Sequence, residues 1–317
     1  MKQTLRLLAA TAAAGALALT ACGTPDTAPA ADETSGQAIS VAHTQGTAEL
    51  DGTPSKIVVL DFGALDTLDA LGVSGSVVGV PKGGAFPDAV SSFNTDSTTD
   101  VGTLQEPNFE TIASLQPDLI VAGFRSAKQV PELSKIAPTV DITYDYSKSF
   151  YDGVAYATDI LAEATGTQEQ AQTELKELEE AIAAAKDKVP AGKNAMVLMT
   201  SGGKVSAHGT QSRYNALFND LGIEPTISDV EAEAHGDAIS FEAIQQANPD
   251  LLFVVDRDAA IGEEGAAAKQ VLDNELMATT SAWSNDDVVY LEGQRWYILI
   301  HGANNAVEMI NQVAAEL

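Results

Sequence analysis

The chain has 317 residues, 45% of them hydrophobic, and a formal net charge of −28 at pH 7. So acidic a surface repels nucleic acid and anionic lipid headgroups, which excludes a nucleic-acid partner and membrane attachment by charge alone. Cys22 is the single cysteine, so no disulfide within the chain is available and a packed core must hold the fold.

Lys2 and Arg6 precede an apolar run over residues 7–21. That run is short for a bilayer span, which needs about 20 apolar residues, and it fits an export signal better. It ends in Leu19-Thr20-Ala21-Cys22, which resembles a bacterial lipobox. Residues 1–21 are therefore expected to be a lipoprotein signal peptide and Cys22 a lipidated N-terminus on the outer face of the cytoplasmic membrane. Residues 22–38 are rich in Gly, Pro, Ala, Thr and acids, with no periodic apolar face, and read as a flexible tether. The remainder is long enough for two domains or one large one.

Residues 56–60 (KIVVL) form a β-branched run expected to be a buried strand. A helical segment follows through Leu65, Leu68 and Leu71 and stops at Gly72. Residues 77–80 make a second strand, 109–115 a helix, Pro117-Asp118 a turn, and 119–122 a strand. Alternating strands and helices predict βα units and a mostly parallel sheet. Residues 147–190 are helical in character, with Leu161, Leu175, Leu178 and Ile182 on an apolar stripe and Gly166 as a break. The second half repeats the scheme, with a strand at 195–199, a helix at 214–221 and a strand at 288–291. The expected fold class is α/β: two Rossmann-like lobes, 39–146 and 191–317, with mostly parallel sheets, joined by a long helix over 147–190.

An internal repeat supports the two-lobe reading. Phe109 and Phe241 each open the pattern F-E-x-I-x-x-x-x-P-D-L followed by an apolar strand. Each copy then places an arginine, Arg125 or Arg257, at the same offset from its Phe. An arginine just past a parallel strand lies at the carboxyl end, where open α/β sheets collect ligands. Arg213 falls in a loop between the second lobe's first strand and its next helix. Three guanidiniums in one cleft suit a ligand with several anionic oxygens, because Arg stays charged and donates in a planar fork. The competing reading is pairing with local carboxylates, and Asp256 and Asp258 flank Arg257. His43 and His208 read as structural or solvent-exposed histidines, whereas His235, in an acidic glycine-containing loop, stays open. No HExxH, Cys/His cluster or EF-hand loop is present, and no G-x-S-x-G elbow.

From about residue 39 onward the chain resembles the siderophore-binding proteins of ABC importers, which have the class III periplasmic-binding-protein fold. The resemblance is carried by residues 59–72 (VLDFGALDTLDALG), Gln211-Ser212-Arg213, His235-Gly236, residues 254–257 (VVDR) and Trp296-Tyr297. It is strongest for the branch that takes catecholates such as petrobactin or enterobactin fragments. The resemblance implies a non-enzymatic, monomeric binding lipoprotein with no intrinsic cofactor, whose cargo is a ferric siderophore and whose partner is an ABC permease. It assigns Arg125, Arg213 and Arg257 to the catecholate oxygens, and His235 and Tyr297 to iron. Fe(III) favours hard oxygen donors and accepts imidazole, so that pair is chemically sensible. Glu106, with Glu231 or Glu233, would meet permease arginines. Haem, cobalamin or ferric citrate on the same fold are alternative cargoes; a hydrolase or a surface adhesin would be different classes of protein.

Overall fold

The computed structural model describes residues 38–228, 230 and 235–317. The signal segment, Cys22 and its tether, Glu231 and Glu233 lie outside them. Strands β1 (Ile39–His43) and β2 (Gly46–Leu50) form an antiparallel hairpin. Strands β3 (Ile57–Val59), β4 (Val77–Val80), β5 (Thr99–Asp100), β6 (Leu119–Ala122) and β7 (Thr139–Asp141) make a five-stranded sheet, ordered β5-β4-β3-β6-β7. Every pair in it is parallel.

The second sheet contains β8 (Asn194–Ser201), β9 (Lys204–His208), β10 (Glu224–Pro225), β11 (Asp237–Ala238), β12 (Leu251–Asp256) and β13 (Val288–Leu291). Its order is β11-β9-β8-β12-β13, with β10 also on β8. Here β8, β10, β12 and β13 run parallel, β9 pairs antiparallel with β8, and β11 pairs antiparallel with β9. Gly202 and Gly203, at φ 56° and 73°, turn β8 into β9.

Alternation along the central strands sorts side chains onto two faces. Val58, Leu60, Ile120 and Ala122 pack in one satellite core, and Met196, Leu198, Leu252 and Val254 in another. Their neighbours Ile57, Val59, Leu119, Val121, Val197, Phe253 and Val255 belong to a single larger core that reaches both sheets. Both faces of each sheet are therefore covered, as parallel sheets require.

Both copies of the repeat fold alike, for local reasons. Asn108 and Ser240 cap helices Phe109–Leu115 and Phe241–Ala247, their side chains accepting from the amides of Thr111 (3.0 Å) and Ala243 (3.2 Å). Gln116 and Asn248 end them in the left-handed region, at φ 49° and 48°. The repeated aspartate then accepts backbone amides that lead into the neighbouring strand. Asp118 takes Ser55 N (2.9 Å) and Lys56 N (3.0 Å), and Asp250 takes Asn194 N (3.1 Å).

Residues 147–190 form two helices, Phe150–Thr165 and Gln168–Lys186, separated where Gly166 adopts φ 73° as the C-cap. The second packs against the C-terminal helix Ala303–Glu316, which also lies on helix Phe62–Ala70. Asp66 and Thr67 of that first helix receive the amides of Asn305 (2.9 Å) and Ala303 (3.0 Å). The start of the C-terminal helix is thus capped by the other half of the chain. Among the described residues no helix is long and apolar enough to cross a membrane.

Candidate functional site

The carboxyl ends of β6 and β12 deliver two of the expected arginines to one cavity. After β6 the backbone turns sharply: Phe124 has φ 46° and donates its amide to Thr143 Oγ1 at 2.7 Å, while Ser126 Oγ donates to Leu60 O at 2.9 Å. This fixed turn projects Arg125. After β12, Asp256 caps a four-residue helical turn, Arg257–Ala260, by accepting from Ala259 N at 3.0 Å. Arg257 is its first residue. Arg213 comes from the turn after β9, where Ser212 Oγ donates to Gly209 O at 2.7 Å. The β8–β9 hairpin, which the sequence reading did not include, carries the chain to that turn.

All three guanidiniums gather around Tyr297. Their carbons lie 5.2 Å (Arg125), 4.9 Å (Arg213) and 5.8 Å (Arg257) from its ring centroid, within cation–π range. Arg125 Nη2 donates to Tyr297 O at 2.7 Å and Arg213 Nη1 to the same oxygen at 3.3 Å. Arg257 Nε donates to Tyr297 Oη at 3.2 Å. Tyr297 sits in a π-helical turn, Arg295–Leu299, and is 5% exposed. Such turns recur at functional sites because one wide turn re-aims a side chain.

The pairing alternative holds in part for Arg257. Its Nη1 lies 3.4 Å from both Asp258 Oδ1 and Glu263 Oε2, although Asp258 also accepts Gly202 N at 2.7 Å. Asp256, by contrast, is used as a backbone cap. The fourth arginine of the described chain, Arg295, donates to Asn305 Oδ1 at 3.2 Å and does not line the cavity.

The cavity has a volume of about 490 Å³ and is lined by the three arginines, His235 and Tyr297, together with Phe124, Tyr144, Tyr146 and His301. That is the size range of small-molecule sites. His235 is held below its ordinary pKa first by desolvation and then by the charges of Arg213, Arg257 and Arg125. It is therefore a neutral imidazole near pH 7, the form that binds metal. Burial pushes the phenols of Tyr144 and Tyr146 up, so both stay protonated. Among the described residues no group of three or more His, Cys, Asp or Glu could hold a metal ion. His235 and Tyr297 would have to share any metal with donors from a ligand.

Sequence reasoning missed the aromatic side of the cavity. Phe124 stacks on His301 with centroids 4.1 Å apart and meets Tyr144 edge-on at 5.2 Å. His301 Nε2 lies 2.6 Å from Asp61 Oδ1, and both residues are almost fully buried. Burial opposes ionisation of Asp61, yet His301, the Ala64 amide and Arg125 outweigh it and hold its pKa below the usual carboxylate value. The two partners are 240 residues apart. A T-Y-D-Y run just past β7 was the available signal for Tyr144 and Tyr146; the Asp61–His301 pair had none.

Two sheets whose strand ends face a shared cationic cavity define a solute-binding protein. The periplasmic binding protein family model matches residues 57–294, and the chain belongs to that family of substrate-binding proteins, which are not enzymes. The petrobactin-binding protein YclQ of Bacillus subtilis is 36% identical over 302 residues, covering 94% of each chain. Its crystal structure matches with a TM-score of 0.84 at 35% identity, across 88% of this chain and 98% of that one. The ferric-anguibactin-binding protein FatB of Vibrio anguillarum is 33% identical, covering 82% of this chain and 81% of its own. The periplasmic catecholate-siderophore binding protein VctP of Vibrio cholerae matches with a TM-score of 0.82 at 31% identity, across 88% of this chain and 100% of its own.

Proposed function

We propose that the chain captures a ferric siderophore of the catecholate type outside the cytoplasm and presents it to an ABC permease for iron uptake. The observation that carries this reading is the convergence of Arg125, Arg213 and Arg257 on Tyr297 in a cavity that His235 also lines. A ferric catecholate is anionic and rich in hard oxygens, and each of its catechol rings is planar. A guanidinium about 4 Å from an anionic oxygen gains roughly 4 kcal/mol at an effective dielectric near 20. Phe124, Tyr144 and Tyr146 offer ring faces and edges to the catechol rings. The names of YclQ, FatB and VctP point to the same cargo class.

In this mechanism the arginines draw in the complex and fix its orientation. A tetradentate siderophore leaves two iron positions, which His235 and Tyr297 Oη fill. A hexadentate one leaves none, and the arginines alone hold it. Lipid attachment through Cys22 keeps the monomer at the outer face of the cytoplasmic membrane. Permease docking is assigned to Glu106, exposed in the loop before helix Phe109–Leu115, together with Glu231 or Glu233.

The test is a titration of the metal-free protein lacking residues 1–22, read by quenching of Trp296, the neighbour of Tyr297. The panel holds tetradentate and hexadentate ferric catecholates, a ferric hydroxamate, ferric citrate, haem and cobalamin. Submicromolar binding of a catecholate that weakens in Arg213→Ala is the expected result. In Tyr297→Phe, loss should fall on the tetradentate complex and spare the hexadentate one. Tight binding of haem, cobalamin or citrate alone would replace the cargo, and silence across the panel, checked by calorimetry, would overturn the reading.

A further inference from the structure

Two side chambers open from the cavity, and they differ in the residues that line them. One, of about 400 Å³, runs along β8 and β9 past Met199, Ser201, Lys204, Val205, Ser206 and His235, so that a cationic side chain stands among apolar and hydroxyl ones. The other, of about 310 Å³, shares Arg125, Arg257 and Tyr297 with the main cavity and then continues between Phe62, Pro81, Leu104 and Ile261. Beyond the shared arginines its walls are apolar side chains and the small residues Gly83, Gly84 and Ala85, with Thr103, Gln105 and Glu263 as the polar members.

The chamber's walls are firmly built. Lys82 donates its backbone amide to Asp100 Oδ1 at 3.0 Å, and its Nζ to Thr95 O and Thr98 O at 2.7 and 2.8 Å. Gly83 N donates to Gly102 O at 2.9 Å. Phe86 packs edge-on against Phe62 at 4.9 Å. The Asp88 amide reaches Gln294 Oε1 in the other half of the chain at 3.0 Å. A Cβ on Gly83 would lie 2.9 Å from Thr103 Cγ2, so that position is confined to glycine, whereas a Cβ on Gly84 would meet nothing within 4 Å.

Resting on the siderophore reading above, we propose that this apolar chamber is a second subsite, for the aliphatic linker that joins the iron-binding groups of the cargo. Arg125 and Arg257 stand at its entrance and keep the anionic head in the main cavity. The uncharged chain then passes into the chamber between Leu104 and Ile261, not into the one that holds the Lys204 ammonium. Selectivity thus has two parts: charge selects the head, and the width between residues 83–85 and Ile261 selects the chain behind it.

Two probes separate this subsite from the main site. One is the ferric complex of a hexamethylene-linked bis(catechol amide); the other is the ferric complex of two unlinked N-methyl catechol amides, which has a similar head and no chain. In wild type both should bind, the linked one more tightly. Each methylene removed from apolar contact weakens binding about fourfold. Gly84→Trp, which adds an indole at a residue lining the chamber, should therefore weaken the linked probe by at least about tenfold and leave the unlinked one within about twofold. Leu104→Ala, which removes a wall, should weaken the linked probe selectively too. Equal loss of both probes, or no loss of either, in both variants would overturn the subsite while leaving the cargo reading intact. Failure of both probes to bind wild type would instead overturn the reading on which the subsite rests. Retained binding of the unlinked probe also reports that each variant is folded.

Discussion

His208, at the end of β9, is 3% exposed, and among the described residues neither of its ring nitrogens has a hydrogen-bond partner. Its ring packs edge-on against Tyr214 at 4.7 Å. Burial, followed by the charges of Arg213 and His235, pushes its pKa from 6.5 to about 3. The unfolded chain binds a proton at this residue below pH 6.5, while the folded chain refuses it down to about pH 3. Stability from this residue is therefore complete above pH 6.5 and falls by about 1.4 kcal/mol per pH unit across that window. His208→Phe keeps an aromatic edge on Tyr214 and removes the titration. Urea unfolding of both proteins, followed by tryptophan emission between pH 7.5 and 5, isolates the effect, because carboxylates common to both cancel in the difference. The variant should gain about 2 kcal/mol on wild type over that range. A difference that stays constant within about 0.5 kcal/mol would refute the buried neutral histidine.

Further outcomes follow from other contacts. Asp61→Asn removes the carboxylate that meets His301 Nε2 and accepts the Ala64 amide, and should cost about 1–3 kcal/mol in urea unfolding at pH 7. Because the folded pKa of Asp61 is depressed, its contribution is present above the ordinary carboxylate pKa and is lost as pH falls through the folded value. The wild-type advantage over Asp61→Asn should therefore shrink in acid. Gly153→Ala places a methyl against the ring of buried Tyr144 and should cost about 1–3 kcal/mol by overpacking, read as a lower urea midpoint with an unchanged slope. Asp118→Ala removes the acceptor for Ser55 N and Lys56 N at the entry to β3, and because these bonds are exposed the cost should be only about 0.5–1.5 kcal/mol in the same assay, with siderophore affinity unchanged.

What could be read from the sequence was what local chemistry encodes. Helices Phe109–Leu115 and Phe241–Ala247 carry their own caps, and strands 119–122 and 288–291 are short β-branched runs between turn residues, so the expected bounds 109–115, 119–122 and 288–291 match the structure. Arg125 and Arg257 could be paired because the repeat fixes their offset from a known strand. The antiparallel β9 was missed although Gly202-Gly203 marks its turn, because the parallel βα pattern set the expectation there. Asp61 and His301 pair across 240 residues, and a single sequence holds no trace of a partner so remote. The aromatic wall was missed because Phe124, Tyr144 and Tyr146 look like ordinary core residues until the strand ends are placed in space.

The acceptor that Arg125 and Arg213 share is a main-chain oxygen, Tyr297 O. Every amino acid at position 297 would supply that oxygen. The aim of two of the three cationic groups is therefore insulated from mutation at the very residue whose phenol would touch the metal. A lineage could exchange Tyr297 and move from cargo with incomplete coordination to cargo that arrives fully wrapped, without rebuilding the anion trap. The main chain thus conserves the general task of holding an anion, and the side chain is left free to vary its exact form.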